Sequence, residues 1–307
     1  MIKANLVDIC ICTFRRPNLL GLLLKSLVGQ RLDDRTFINI IIIDNDLKGS
    51  AQRVVDEFRK SLSIEYYIEV KRGISYARNL ALSHTKNDFI AFIDDDEIAS
   101  PNWIMEHIKA VKNYDADVIF GPVHYDLPHN VQKWAKDIFK RSNEIESGSI
   151  VEHGATSNVL VRADIIRSNN MRFKEEYALT GGGDTEFFYR LSQSGFKQVW
   201  CNTPLVYEAI PQERLTISWL CLRSYRSGQC VARIFILPKY NPIEKCKFIV
   251  KKIIGLVVNI LLLPGILFIG YSLYIQKLMQ ISGLLGQITV LLGSKKYYEE
   301  YSNKNYR

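Results

Sequence analysis

Phe89-Ile90-Ala91-Phe92-Ile93-Asp94-Asp95-Asp96-Glu97 joins an apolar run with strand character to four consecutive acids. Four like charges at one strand end repel one another and are not buried without a cation. Taken alone, the stretch is either a solvated acidic turn or a site for a hard divalent cation and a phosphate. Carboxylate oxygens are the ligands Mg²⁺ and Mn²⁺ prefer. Its surroundings favour the second reading, because strands and helices alternate around it. Open α/β sheets bind ligands beyond the carboxyl ends of their strands.

Upstream, Leu6–Thr13 reads as a mostly buried strand, and a helix runs from Pro17 to about Gly29 on a face of Leu19, Leu20, Leu23, Leu24 and Leu27. Phe37–Ile43 is a nearly pure apolar strand of the kind covered on both faces in parallel sheets, ending in Asp44-Asn45-Asp46. Val54–Leu62 is expected as helix, Ile64–Val70 as strand and Tyr76–Thr85 as helix. Downstream, Trp103–Asn113 is expected as helix, Asp117–Tyr125 as one strand and His129–Arg141 as helix. Ser157–Val161 (strand), Ala163–Asn169 (helix), Thr185–Ser194 (helix), Gln198–Trp200 (strand) and Leu215–Ile236 (helix, weakened or broken at Gly228) follow. This alternation predicts a doubly wound α/β sheet with Thr13, Asp44 and Asp94 on one edge, lining one crevice.

The chain has 307 residues and a net charge of +8, unevenly spread. Residues 1–213 carry 26 basic and 29 acidic side chains; residues 214–307 carry 14 and 3. A basic, apolar C-terminal third points to an anionic membrane surface rather than to nucleic acid. No recognition helix or sheet interleaves aromatics with basic residues. Six cysteines in a chain this long make no disulfide scaffold, and none has zinc spacing. The N-terminus enters a strand directly, so no secretory signal is expected.

Ile253–Gln276 holds no charged residue, and after Lys277 the run Leu278–Ser294 is again uncharged. Lys245, Lys247, Lys251 and Lys252 precede this region; Lys295 and Lys296 follow it. The pattern predicts a membrane-associating helical tail over residues 241–307, behind a domain of residues 1–240. Spanning and in-plane attachment both stay open, because Pro264-Gly265 interrupts the first run.

Five ordered motifs carry a family resemblance. They are Cys12-Thr13-Phe14-Arg15-Arg16-Pro17, Ile43-Asp44-Asn45, Gly73-Ile74-Ser75-Tyr76-Ala77-Arg78-Asn79, Asp94-Asp95-Asp96 and Gly181-Gly182-Gly183-Asp184. Over roughly residues 5–230 the chain resembles the inverting nucleotide-sugar glycosyltransferases of family two. The variant Gly-Gly-Gly-Asp-Thr-Glu is similar to a subset that includes succinoglycan-type exopolysaccharide glucosyltransferases.

The resemblance implies a GT-A fold and Mn²⁺ or Mg²⁺ as cofactor. It implies that Thr13, Arg15, Arg78 and Asn79 shape the nucleotide pocket and that Asp44 binds the base or ribose, most often of UDP. Asp96 would coordinate the metal, and Asp94 would contact the ribose or a metal-bound water. Asp95 would point away, since alternate residues of an extended segment face opposite sides, and Glu97 would either support the metal site from behind or be merely solvated. Asp184 would be the general base, with Glu186 a weaker rival and a helix N-cap its plain structural role. The family often has Glu before this Asp; here the position is Gly183. Arg223 and Arg226 share a helical face and resemble a downstream Arg-rich element that reaches the diphosphate; a basic face meeting lipid headgroups is the other reading. His153 lies in a loop that can approach the sugar.

The implied activity is sugar transfer, with inversion, from a UDP-sugar to a lipid-linked or polysaccharide hydroxyl at the cytoplasmic face of the membrane. A nucleotidyltransferase and a catalytically silent membrane scaffold that binds nucleotide-sugar are the alternatives.

Overall fold

The four isoleucines Ile40–Ile43 alternate between the two faces of a central sheet. Ile40 and Ile42 enter one hydrophobic core with Val7, Ile9 and Ile11; Ile41 and Ile43 enter the other with Cys10. A strand needs apolar side chains on both sides only when helices cover both sides. The computed structural model describes residues 4–139 and 145–294. They divide into two units, one of residues 4–126, 145–179 and 183–209, the other of residues 127–139, 180–182 and 210–294.

In the first unit, β1 (Asn5–Thr13), α1 (Pro17–Val28), β2 (Thr36–Asp44), α2 (Gln52–Phe58), β3 (Ile64–Ile68), α3 (Ile74–His84) and β4 (Phe89–Ile93) alternate as the pattern predicts. Next come β5 (Glu97–Ala99), α4 (Trp103–Tyr114), β6 (Val118–Phe120) and β7 (Val123–Asp126). The seven-stranded sheet has the order β3-β2-β1-β4-β8-β6-β9, with β8 (Asn158–Arg162) antiparallel to both neighbours and β9 (Gln198–Trp200) at one edge. α6 (Ala163–Ser168) and α7 (Gly183–Gln193) run between β8 and β9 in the chain. Leu20, Leu23, Leu24 and Leu27 of α1 are buried against one face, while Leu19 stays exposed. Thr13 pairs in register with Asp44, so the carboxyl ends of β1 and β2 are level.

The strand expected over Asp117–Tyr125 is two strands in two sheets. β7 pairs with β10 (Val206–Ala209), which also pairs antiparallel with β5. The chain turns at Gly121-Pro122, where a Cβ on Gly121 would overlap the Pro204 carbonyl and the Asn158 amide. Asn158 ties this corner together. Its Oδ1 accepts from Trp103 Nε1 and pairs with His107 Nε2, both at 2.8 Å, and its Nδ2 donates to the Pro122 and Pro204 carbonyls.

The second unit is helical: α5 (Lys133–Phe139), α8 (Ile217–Val231), a π-helical segment (Ala232–Ile236), α9 (Pro242–Ile269) and α10 (Tyr271–Leu291). The helix expected over His129–Arg141 is shorter, and Lys140 and Arg141 lie outside the described residues, as do Lys295 and Lys296. Gly228 does not break α8. It and Gly286 let α8 and α10 approach until a Cβ at Gly228 would overlap the Gly283 carbonyl and one at Gly286 the Tyr225 carbonyl. Pro264 likewise lies inside an unbroken α9, which starts on a capping box between Asn241 and Glu244.

Candidate active site

The acids at the end of β4 do not form a solvated turn. Asp95 and Glu97 are buried, at 5% and 1% exposure. The chain turns at Asp95-Asp96 before β5, so the alternation of an extended segment does not apply. Asp95 faces the end of β1 instead of pointing away. Its Oδ2 accepts from Thr13 Oγ1 at 2.7 Å and its Oδ1 from Arg16 Nη1 at 3.1 Å. The same Arg16 nitrogen donates to Asp96 Oδ2 at 3.1 Å. Glu97 Oε2 accepts the Asp94 backbone N–H at 2.8 Å, which fixes the start of the acidic turn.

These neighbours shift proton affinities. Burial pushes Asp94 up to about 7; the Arg78 guanidinium opposes this, and the charges of Asp96, Asp95 and Asp184 add to it. Asp95 rises to about 6 through burial, against the pull of Arg16 and with a push from Asp96. Burial raises Glu97 well above the ordinary carboxylate range. The cation demanded by four clustered acids is thus partly supplied by the chain, from Arg16 and Arg78. Sequence reading quoted Arg16 only as part of its motif; the doubled arginine before Pro17 was the available signal.

Asp184 sits in the first turn of α7, and its charge acts on Asp94. The helix begins at Gly183, so Asp184 is inside it and is not the cap. Its Oδ1 accepts the Thr185 N–H at 2.8 Å, and among the described residues Oδ2 has no hydrogen-bond partner. Glu186 is differently placed. Lys174 Nζ and Arg190 Nε both reach its Oε1 at 2.8 Å, and Arg190 Nη2 reaches Oε2 at 3.1 Å. Both of its oxygens are thus held by cations, and neither is open to a substrate hydroxyl. Gly183 also has a spatial reason: a Cβ there would lie 3.2 Å from Tyr177 Cβ and 3.3 Å from Ser75 Oγ. The Ser75 hydroxyl is buried and has no hydrogen-bond partner among the described residues, a polar group at this edge that sequence reading passed over.

The other expected residues divide. Thr13 and Arg78 lie at the acid edge, Arg78 with its guanidinium 5.5 Å from the centre of the Phe173 ring. Arg15 is exposed in a left-handed conformation (φ 57°), with Nε 3.2 Å from Asp46 Oδ2. Asp44 is at the same edge but fully buried. Its oxygens already accept from Asp46 N, Ser50 Oγ, Ala51 N and Tyr66 Oη, which fills the capacity of a carboxylate. In this structure Asp44 organises the loop after β2. Asn79 spends its amide on the Phe173 backbone, donating to its carbonyl and accepting its N–H at 2.8 Å. His153 is exposed. Arg223 and Arg226 are on α8 in the second unit, Arg223 stacked 5.3 Å from the Trp219 ring centre.

Residues 8–175 match the family model described as glycosyl transferase family 2. The chain belongs to that family. It is 31% identical over 231 residues to the succinoglycan biosynthesis protein ExoM of Rhizobium meliloti (strain 1021), covering 74% of each chain. It is 25% identical to the hyaluronan synthase of Pasteurella multocida over 62% of this chain, and spans only 23% of that enzyme. Two solved structures share the fold. One is the mannosyltransferase PcManGT from Pyrobaculum calidifontis in complex with GDP-Man and Mn²⁺, with TM-score 0.68, 15% identity and coverage of 96% and 89%. The other is S. aureus TarS 1-349 in complex with UDP-GlcNAc, with TM-score 0.54, 13% identity and coverage of 94% and 92%. The family-2 chain therefore has the GT-A fold, and it is a glycosyltransferase.

Asp94 and Asp96 offer only carboxylate oxygens, and Asp94, raised to about 7 chiefly by burial, also feels the negative charges of Asp96, Asp95 and Asp184. That donor chemistry fits Mg²⁺ or Mn²⁺. Among the described residues no three His, Cys, Asp or Glu side chains are grouped to hold an ion by themselves. The set fits an ion that shares one or two carboxylates with the oxygens of a bound diphosphate, the usual habit of Mg²⁺.

Proposed function

We propose that the protein transfers a sugar, with inversion, from a UDP-sugar to a hydroxyl of a lipid-linked or polysaccharide acceptor in surface glycan biosynthesis. The observation that carries this reading is the placement of Asp184 within electrostatic reach of Asp94, while its rival Glu186 is locked by Lys174 and Arg190. One carboxylate of the cluster is thereby left with an oxygen for a substrate proton. ExoM by its name takes part in succinoglycan biosynthesis, and the TarS complex holds UDP-GlcNAc, which support the acceptor class and the donor.

Thr13 and Arg16 hold the acidic turn; Arg15 and Arg78 supply positive charge beside the diphosphate. Asp44 acts on the nucleoside through the loop it organises. The roles of Arg223 and Arg226 at the diphosphate rest on the family resemblance alone. The acceptor oxygen forms its bond to the anomeric carbon as the bond from that carbon to the diphosphate oxygen breaks. The hydroxyl proton passes to Asp184, and the departing diphosphate takes the bonding pair. A single displacement of this kind inverts the anomeric centre. Asp94 and Asp96 would hold a divalent ion, which would supply charge neutralisation for the leaving group, a reading supported by the Mn²⁺ in the PcManGT complex.

Residues 241–307 are the membrane-associating tail, and the enzyme works at the cytoplasmic face, where nucleotide-sugars are made. Pro242–Ile269 is long and apolar enough to cross a membrane and is unburied, which supports association. The test is product release by the full chain with UDP-, GDP- and dTDP-sugars and Mn²⁺ or Mg²⁺. Release of UDP from a UDP-sugar is expected. Pyrophosphate release from a nucleoside triphosphate would make the protein a nucleotidyltransferase, and no metal-stimulated release from any donor would make it a scaffold.

A further inference from the structure

Resting on the proposed membrane association, we infer that α9 lies within one leaflet of an anionic bilayer and does not cross it. The helix has one outward face. A seven-residue step sets Lys247, Ile254, Leu261 and Phe268 in one row. The last three are 58%, 74% and 91% exposed, so nothing among the described residues covers them. Lys245, Lys247, Lys251 and Lys252 lie in the first turns, and the apolar part begins at Ile253. A basic start followed by an apolar row suits anionic headgroups at one end and acyl chains along the rest. The opposite stripe packs on α10, where Lys277 Nζ donates to Asn259 Oδ1 at 2.8 Å.

Three restraints keep both ends of α9 on one side of the bilayer. At its start, the preceding π-helical segment is pinned through Arg233, whose Nη1 donates to Thr180 Oγ1 at 2.7 Å. Thr180 follows directly on Leu179, a residue of the catalytic unit. At its end, Gly270 leads into α10, and Ser272 Oγ donates to Asp137 Oδ2 of α5 at 2.6 Å. α5 begins at Lys133, and β7 of the catalytic sheet ends at Asp126. The connector of residues 127–132 reaches at most about 25 Å when fully extended, short of a hydrocarbon core of about 30 Å. It is also non-helical and carries His129, Asn130 and Gln132, and a bilayer core does not admit such unpaired backbone. Finally, the Lys277–Asn259 pair falls midway along the apolar stretch. In a crossing hairpin it would place an ammonium at the bilayer centre, where charge is costly.

Spin labels on Ile254→Cys, Leu261→Cys and Phe268→Cys, made in a Cys246→Ser full chain, report depth in vesicles of phosphatidylethanolamine and phosphatidylglycerol. All three are expected within about 10 Å of the headgroups of one leaflet. A label at Leu261 near the mid-plane with Phe268 beyond it would overturn the in-plane placement. Lys247→Ala with Lys251→Ala is expected to weaken partitioning to these vesicles roughly 30-fold, with no change on phosphatidylcholine vesicles. Equal binding to both vesicle types would overturn the anionic preference. Absence of vesicle binding, with a concentration-dependent dimer in sedimentation, would assign the row to a second copy of the chain and overturn the proposal. UDP release measured in detergent on the same samples separates the two readings. If release persists while the depth pattern fails, only the placement falls. If release fails while the depth pattern holds, only the enzymatic reading falls.

Discussion

Acidification is expected to weaken the catalytic unit through His107. Its imidazole is fully buried in α4, edge-on to Trp103 at 5.6 Å, and Nε2 lies 2.8 Å from Asn158 Oδ1. An amide oxygen accepts, so Nε2 carries the proton and Nδ1, which is buried with no hydrogen-bond partner among the described residues, does not. Burial pushes the imidazole down to about 4, only partly offset by the Asn158 bond. Above 6.5 the ring is neutral in both folded and unfolded chains. Between 6.5 and 4 the unfolded chain takes up a proton that the folded chain refuses, so stability falls as pH falls. The full difference is about 3 kcal/mol, and about 2.5 kcal/mol of it is lost by pH 4.5. Asp94, Asp95 and Glu97 act with the opposite sign, because raised carboxyls protonate first in the folded chain. A wild-type pH profile alone therefore mixes the two. His107→Gln separates them, since its amide can still donate to Asn158 and does not titrate. Urea unfolding of both proteins in mild detergent, followed by tryptophan fluorescence from pH 7.5 to 4.5, gives the difference. The variant is expected to gain about 2.5 kcal/mol on wild type over that range. Parallel curves would refute the neutral, buried imidazole.

Asp184→Asn is expected to keep donor affinity by calorimetry while lowering kcat by a factor on the order of 10² to 10⁴; near wild-type turnover would remove Asp184 as the base. Asp96→Ala is expected to abolish the Mn²⁺ enhancement of donor binding, although Arg16 keeps its bond to Asp95. Glu97→Gln retains an acceptor for the Asp94 N–H and should leave kcat within about twofold, whereas Glu97→Ala loses it and should cost roughly tenfold or more. Gly73 has φ 134°, and a Cβ there would lie 2.7 Å from Ala178 Cβ. Gly73→Ala is expected to destabilise by about 3 kcal/mol in the same unfolding assay.

The large sheet was legible because its strands are long or apolar on both faces. Ile40–Ile43 admits little but a central strand, and α1 shows its buried face as a leucine stripe. The small sheet was not. β5 and β7 have three and four residues, and β10, which joins them, lies some hundred residues further on in the chain. Segments this short show no period, and pairing across that separation leaves no local mark. The break at Gly121-Pro122 was visible as two residues, but its cause was not. That cause is the amide of Asn158 and the carbonyl of Pro204, both distant in sequence.

The same division runs through the acids. That four of them at one strand end need compensation followed from charge alone. How each is compensated depends on a turn that no spacing rule describes. Asp95 is tied to Thr13 and Arg16, and Glu97 is buried with its proton affinity raised and accepts the Asp94 N–H. Those two, Asp95 set aside on alternation and Glu97 left as a supporting or solvated group, are the members that build the turn. Arg16 spans Asp95 and Asp96, so one guanidinium links the buried part of the cluster to the part at the edge. Asp94 has the charge of Arg78 on one side and of Asp184 on the other. In the proposed chemistry a diphosphate with its cation would change that balance where Asp94 and Asp96 stand, and would leave Asp95 and Glu97 as they are. The proposed chemistry and the observed burial thus select the same two carboxylates, and Glu97→Gln set against Asp96→Ala measures whether that division of labour holds.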